Sequence, residues 1–71
     1  KIVFNQTKLQ EAAEELERNF DRRIRLARED LKNLSITANF HKKPIEDILE
    51  AVCLALELKY REEGNGFLIY R

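Results

Sequence analysis

Apolar and polar positions along this chain repeat with two different periods, and the switches between them mark out its elements. Lys1 to Phe4 reads as a short strand. Leu9, Ala12, Ala13, Leu16 and Phe20 then recur at helical spacing in a charged stretch, which predicts an amphipathic helix over about Lys8 to Asn19. Thr7 stands three residues before Gln10, the spacing of a capping box, in which the hydroxyl accepts from an amide of the first turn and the glutamine reaches back. Arg23 to Ala27 places Ile24 on one side and Arg23 and Arg25 on the other, a strand with one solvated face. Arg28 to Asn33 is polar and predicts a turn or a single 3₁₀ turn. Leu34, Ile36, Ala38 and Phe40 alternate with Ser35, Thr37 and Asn39, the clearest strand in the chain.

Pro44 suits the first position of a second helix, where its missing N–H would be unbonded anyway. Ile45, Ile48, Leu49, Val52, Cys53 and Leu56 form the stripe of that helix. Its second half, Ala51 to Leu56, is apolar on every side, which predicts a helix covered from more than one direction. Lys59 to Arg61 and Phe67 to Tyr70 are expected to close a hairpin across Glu62 to Gly66, where Gly64 and Gly66 permit positive φ.

The two halves superpose at an offset of 36 residues. Phe4 falls on Phe40, Leu9 on Ile45, Ala12 on Ile48, Ala13 on Leu49, Leu16 on Val52, Phe20 on Leu56 and Ile24 on Tyr60. The expected fold is therefore α+β: two β-α-β repeats plus a C-terminal strand, in the order β-α-β-β-α-β-β. An all-round apolar second helix favours two helices packed between two small sheets. A single open sheet with both helices on one face is the alternative.

Seventy-one residues bound this to one domain, 1–71, with a thin core in which about 60% of the unfolded chain's surface can be buried. The chain has no methionine and opens on Lys1, so it is expected to be a fragment of a longer protein. Thirteen basic residues balance thirteen acidic ones, without the basic excess that usually marks a phosphate-gripping domain. The longest apolar run, Ala51 to Leu56, is far short of the about 20 residues a membrane helix needs. One cysteine cannot form an internal disulfide.

Nothing in the chain has the makings of a catalytic, cofactor or metal site. His41 has only Phe40 and Lys42 beside it, with neither an orienting carboxylate nor a nucleophile. Cys53 lies on the apolar stripe of the second helix, whereas a reactive thiolate needs a cationic, accessible setting. Glu14, Glu15, Glu17, Glu62 and Glu63 lack matching histidines or cysteines, and read as solvated faces. Glu14 and Arg18 are placed for a weak i,i+4 pair. Arg22, Arg23, Arg25 and Arg28 form the one basic concentration, read as a wet face balanced by the acids of the first helix, or as a contact for an acidic partner. A K-homology RNA-binding fold would need a GXXG loop between helices, and the only glycines here are Gly64 and Gly66.

These residues resemble a known family. The entry Phe4, Asn5, Thr7, Leu9, Glu11, the group Leu16, Glu17, Arg18, Phe20, the strand Thr37, Ala38, Phe40, the run Ile45 to Leu49 and the closing hairpin are similar to the C-terminal domain of FecR-type anti-sigma regulators, particularly the Bacteroidetes kind. That domain is similar in fold to the secretin and TonB N-terminal short domain. Ala12 and Ala13 depart from the pattern, standing where larger aliphatics are usual. The resemblance implies a periplasmic domain of an inner-membrane protein. Its other parts would be one membrane helix and a cytoplasmic segment that holds an extracytoplasmic-function sigma factor. The implied partner is the signalling domain of a TonB-dependent outer-membrane transporter. A signalling domain of the transporter itself, or a secretin ring module, is the second reading, and a small nucleic-acid binder the third.

For partner binding the last strand is the expected sheet edge, suited to strand addition. Leu68 and Tyr70 are the candidate contacts, with Arg23 and Arg25 as charged rim. The same four apolar residues, Phe67 to Tyr70, equally fit a strand that is wholly internal.

Overall fold

The computed structural model describes all 71 residues. Its elements run β1 (Ile2–Lys8), α1 (Leu9–Phe20), β2 (Arg23–Leu26), a 3₁₀ turn (Glu29–Asn33), β3 (Ser35–Phe40), α2 (Ile45–Leu56), β4 (Lys59–Glu63) and β5 (Gly66–Tyr70). β1 and β3 form an antiparallel pair, and β2, β5 and β4 form a second sheet in that order, β5 parallel to β2 and antiparallel to β4. α1 packs on β1 and β3 of one sheet and on β2 of the other, and α2 on β3 and β4. This is the expected α+β arrangement, with both helices between two small sheets.

Each repeat donates one strand to each sheet, so neither closes a sheet alone. The 36-residue repeat is visible in the backbone as well as in the core. The four non-glycine residues with positive φ are Gln6 and Lys42, then Asp21 and Glu57, each pair 36 apart. Asp21 and Glu57 are the left-handed caps that end α1 and α2, donating their amides to Glu17 and to Cys53 and Leu54 carbonyls. The stripe pairs Leu9/Ile45, Ala12/Ile48, Ala13/Leu49 and Leu16/Val52 are all buried, within one cluster of 17 apolar residues and no buried polar side chain. Phe4 and Phe40 meet edge-on with centroids 6.3 Å apart. The 3₁₀ turn packs on α1 and adds Leu31 to this core, bulk that the small Ala12 and Ala13 do not supply.

Three local expectations are corrected. Thr7 does not cap α1. It belongs to β1, opposite Ile36, where the register slips by one residue after Phe4 and Gln6 turns left-handed. At this bulge the Asn5 amide donates to Thr7 Oγ1 and the Gln6 amide to Thr37 Oγ1. The helix instead starts after Lys8, whose side chain has no acceptor to offer, and no cap bond forms. Pro44 stands one position earlier than expected, as the extended N-cap of α2. The second half of α2 is not covered all round: Val52 and Cys53 are buried, but Ala51 and Ala55 are exposed and Leu54 is 80% exposed. Apolar identity alone did not distinguish the wet side of the helix from the packed one.

The closing hairpin is tighter than the sequence suggested. Glu63 pairs with Gly66, leaving Gly64 and Asn65 as a two-residue loop with positive φ at Gly64 alone, the type II′ arrangement. Gly66 serves a different purpose. A Cβ there would run into the carbonyl oxygen, carbonyl carbon and Cβ of Arg23, so only glycine lets β5 come this close to β2. We expect Gly66→Ala to cost about 2–3 kcal/mol in urea unfolding through backbone displacement. Glu57→Gly should stabilise the fold by about 0.5–1 kcal/mol, because it removes a left-handed strain greater than the entropy glycine adds to the unfolded chain. Asp21→Gly should gain less, since aspartate tolerates that conformation better.

Candidate protein-binding face

The alternation within β2, β4 and β5 divides the three-stranded sheet into an inner and an outer face. Ile24, Phe67 and Ile69 point into the core, joined by the half-buried Leu26 and Tyr60. Tyr60 stacks edge-on with Phe67 at 5.9 Å and its hydroxyl donates to the Glu46 carbonyl at 3.4 Å, tying β4 to the start of α2. Burial, and then the nearby acids of α2, push the Tyr60 phenol above its ordinary range.

The outer face carries the other set. Across its middle runs a row in which Leu68 lies between Arg25 on β2 and Arg61 on β4. On either side of that row are Arg23, Gly66 and Glu63, and then Tyr70 opposite Lys59. Arg23, Arg25, Leu68 and Tyr70, which the sequence nominated on separate grounds, therefore share one solvent-facing surface. Arg61 joins them unforeseen: its guanidinium stands 5.7 Å from the Tyr70 ring centroid and bonds Glu63 at 2.9 Å. The cross-strand register brings it there, and the strand pairing was not readable from the chain. The face thus holds four cations and one carboxylate in a protein whose formal net charge is zero.

The four clustered arginines separate into different roles. Arg22 is a structural clamp: its Nε donates to the Asn65 carbonyl at 2.9 Å, its terminal nitrogen meets Glu62 Oε2 at 3.0 Å, and its guanidinium lies 4.7 Å from the Phe67 centroid. It ties the entrance of β2 to the β4–β5 turn. Arg28 pairs with Asp30 at 3.2 Å. Arg23 and Arg25 are exposed and enter none of the ion pairs in the molecule. The acids of α1 do not balance them, as one reading of the sequence had it. Glu17 is engaged elsewhere, accepting from the Ile24 amide at 2.8 Å, and Glu14 and Arg18 form no ion pair.

The last strand is not the edge the sequence suggested. β5 is central, hydrogen-bonded on both sides, so no chain can add to it. The edges of this sheet are β2, where Glu17 occupies the Ile24 amide, and β4, built of Lys59, Tyr60, Arg61, Glu62 and Glu63, a charged composition that discourages pairing. Phe67 and Ile69 are core, whereas Leu68 and Tyr70 are half-buried.

His41 is exposed in the β3–α2 turn, and Cys53 is buried in α2. Burial pushes the Cys53 thiol up to about 11. In native protein at neutral pH, iodoacetamide should therefore leave Cys53 unmodified, and urea should expose it in step with global unfolding; fast labelling without unfolding would contradict this burial. Arg22→Ala should cost about 1–2 kcal/mol in urea unfolding, through its lost hydrogen bonds and ring contact. Arg23→Ala and Arg25→Ala should each change stability by less than about 0.5 kcal/mol.

Two crystal structures, at 1.65 and 2.50 Å resolution, of a protein provisionally described as an anti-sigma factor from Parabacteroides distasonis ATCC 8503 superpose with TM-scores of 0.91 and 0.90. Each is 24% identical over 99% of this chain, which spans only 33% of the solved one. The likeness establishes a shared fold. No curated protein matches the chain. The family model described as FecR, C-terminal matches residues 1–69, and the chain belongs to the FecR C-terminal family.

Proposed function

We propose that this domain is the periplasmic protein-docking end of a membrane-bound anti-sigma regulator. Its partner is the signalling domain of a TonB-dependent outer-membrane transporter, and the message it passes controls an extracytoplasmic-function sigma factor held by another part of the protein. The observation that carries this reading is membership of the FecR C-terminal family over residues 1–69. The fold neighbour provisionally described as an anti-sigma factor is in keeping with it. The docking surface we assign is the outer face of the β2-β5-β4 sheet, centred on Leu68 and Tyr70 with Arg23 and Arg25 beside them. Half-buried apolar side chains ringed by cations have the composition of an interface centre and its polar rim.

The second reading places the same fold in the transporter itself or in a secretin ring. The flanking sequence separates the two: a single membrane helix upstream marks the regulator, and a plug and barrel downstream marks the transporter.

Titrating the ¹⁵N-labelled domain with transporter signalling domains encoded in the same genome tests the proposal. One of them should shift the amides of β2, β5 and β4 and leave those of β1 and β3 in place. Tyr70→Asp should weaken that binding by at least about tenfold, or about 1.4 kcal/mol, with the fold retained. Absence of binding to every such domain overturns the assigned partner, and shifts confined to other elements overturn the assigned face.

A further inference from the structure

The outer face is unevenly furnished, and its most hollow part lies at the turn end. There a cleft of about 440 Å³ opens between Arg23 and Arg25 on one side and the turn from Glu63 to Phe67 on the other. Gly66, whose missing Cβ lets β5 approach β2, forms part of its lining. The one carboxylate at the cleft, Glu63, is committed to Arg61 through two bonds of 3.2 and 2.9 Å. Arg23 and Arg25 have no carboxylate partner, and Arg22, nearest them in sequence, is held by Glu62 and Asn65. Two guanidiniums without ion-pair partners therefore flank an open hollow, next to the half-buried Leu68.

We infer that this cleft receives the carboxylates of an acidic segment of the protein partner, whose apolar side chains lie on Leu68 and Tyr70. The inference rests on the reading above that the sheet face docks a protein. Charge complementarity selects the occupant: a guanidinium presents a planar fork of donors matched to a carboxylate, and both forks here are vacant. Spacing refines the choice. Arg23 and Arg25 are alternate residues of one strand, so their side chains leave the sheet about 6.6 Å apart. An extended segment with acids at alternate positions repeats at the same distance. Such a segment would lie over the face on its side chains, because β5 has no free main-chain groups for it to pair with.

The 71-residue chain can be tested with a capped pentapeptide of alternating glutamate and leucine, against the same peptide with lysine in place of glutamate. By NMR the glutamate peptide should move the amides of Arg23–Leu26 and Gly64–Tyr70, and the lysine peptide should not. Raising sodium chloride from about 20 to about 300 mM should weaken the binding at least about fivefold. The double variant Arg23→Gln with Arg25→Gln should lose it while the rest of the spectrum is unchanged. Equal response to both peptides, shifts that map to the helices or to β1 and β3, or undiminished binding by the double variant would each overturn the inference. If a transporter signalling domain binds the double variant as tightly as the parent and still shifts the amides of β2, β5 and β4, docking on this face stands and the acidic segment falls. If the glutamate peptide binds as expected and no signalling domain does, the cleft stands and the proposed partner falls.

Discussion

The pairing of β5 with β2 is the contact on which the rest of the molecule depends. It joins residues 23–26 to residues 66–69, the largest sequence separation of any strand pair here, and runs parallel, the arrangement that no hairpin can make. β1 and β2 leave the first repeat for different sheets, and so do β3 and β4 in the second. Without β5 between them, β2 and β4 would have no neighbour, and the core would lose Phe67 and Ile69. The close approach requires glycine at 66, and Arg22 secures the same junction by reaching from the mouth of β2 to the turn before β5.

The same strand breaks the symmetry of the repeat, and the two sheets diverge because of it. β1 and β3 are repeat equivalents paired directly to each other, and the outer face of their sheet shows Val3, Ser35, Thr37 and Asn39 with one charge, Lys8 opposite Ser35. β2 and β4 are equivalents too, but β5 separates them and places Leu68 and Tyr70 between two cationic strands. The basic face is therefore a product of the one element outside the repeat. A net charge of zero conceals it, because seven of the thirteen acids lie on α1 and α2 and most of the rest in turns.

Periodicity was sufficient for the elements and for the buried stripes, since burial of Leu9, Leu16, Ile45 and Ile48 follows directly from helical spacing. What it could not supply was pairing. Phe67 to Tyr70 is equally apolar in the middle of a sheet and at its edge, and only the β2 contact, made by residues over 40 positions away, decides between them. Thr7 shows a different limit. A threonine three residues before a glutamine reads as a helix cap, but a bulge centred on Gln6 uses the same hydroxyl for the Asn5 amide. Left-handed glutamine, lysine, aspartate and glutamate leave no mark in a sequence, although their spacing of 36 shows that the repeat imposes them. The candidate face fared similarly. Its four nominated residues were legible from alternation and charge, whereas Arg61 needed the register.

A central β5 also determines what kind of recognition the face can perform. Strand addition would draw affinity from main-chain hydrogen bonds and tolerate many sequences, with side chains adding selectivity. That route is closed at β5 and obstructed at β2, where Glu17 already occupies the Ile24 amide. Recognition through the outer face must come from side chains: from Leu68 and Tyr70 by burial, and from Arg23, Arg25, Arg61 and Lys59 by charge. Buried apolar contact sets how long a complex lasts, while rim charges set how fast and with which partner it forms. A small domain whose apolar centre on this face is limited to two half-buried side chains would therefore discriminate mainly by electrostatics.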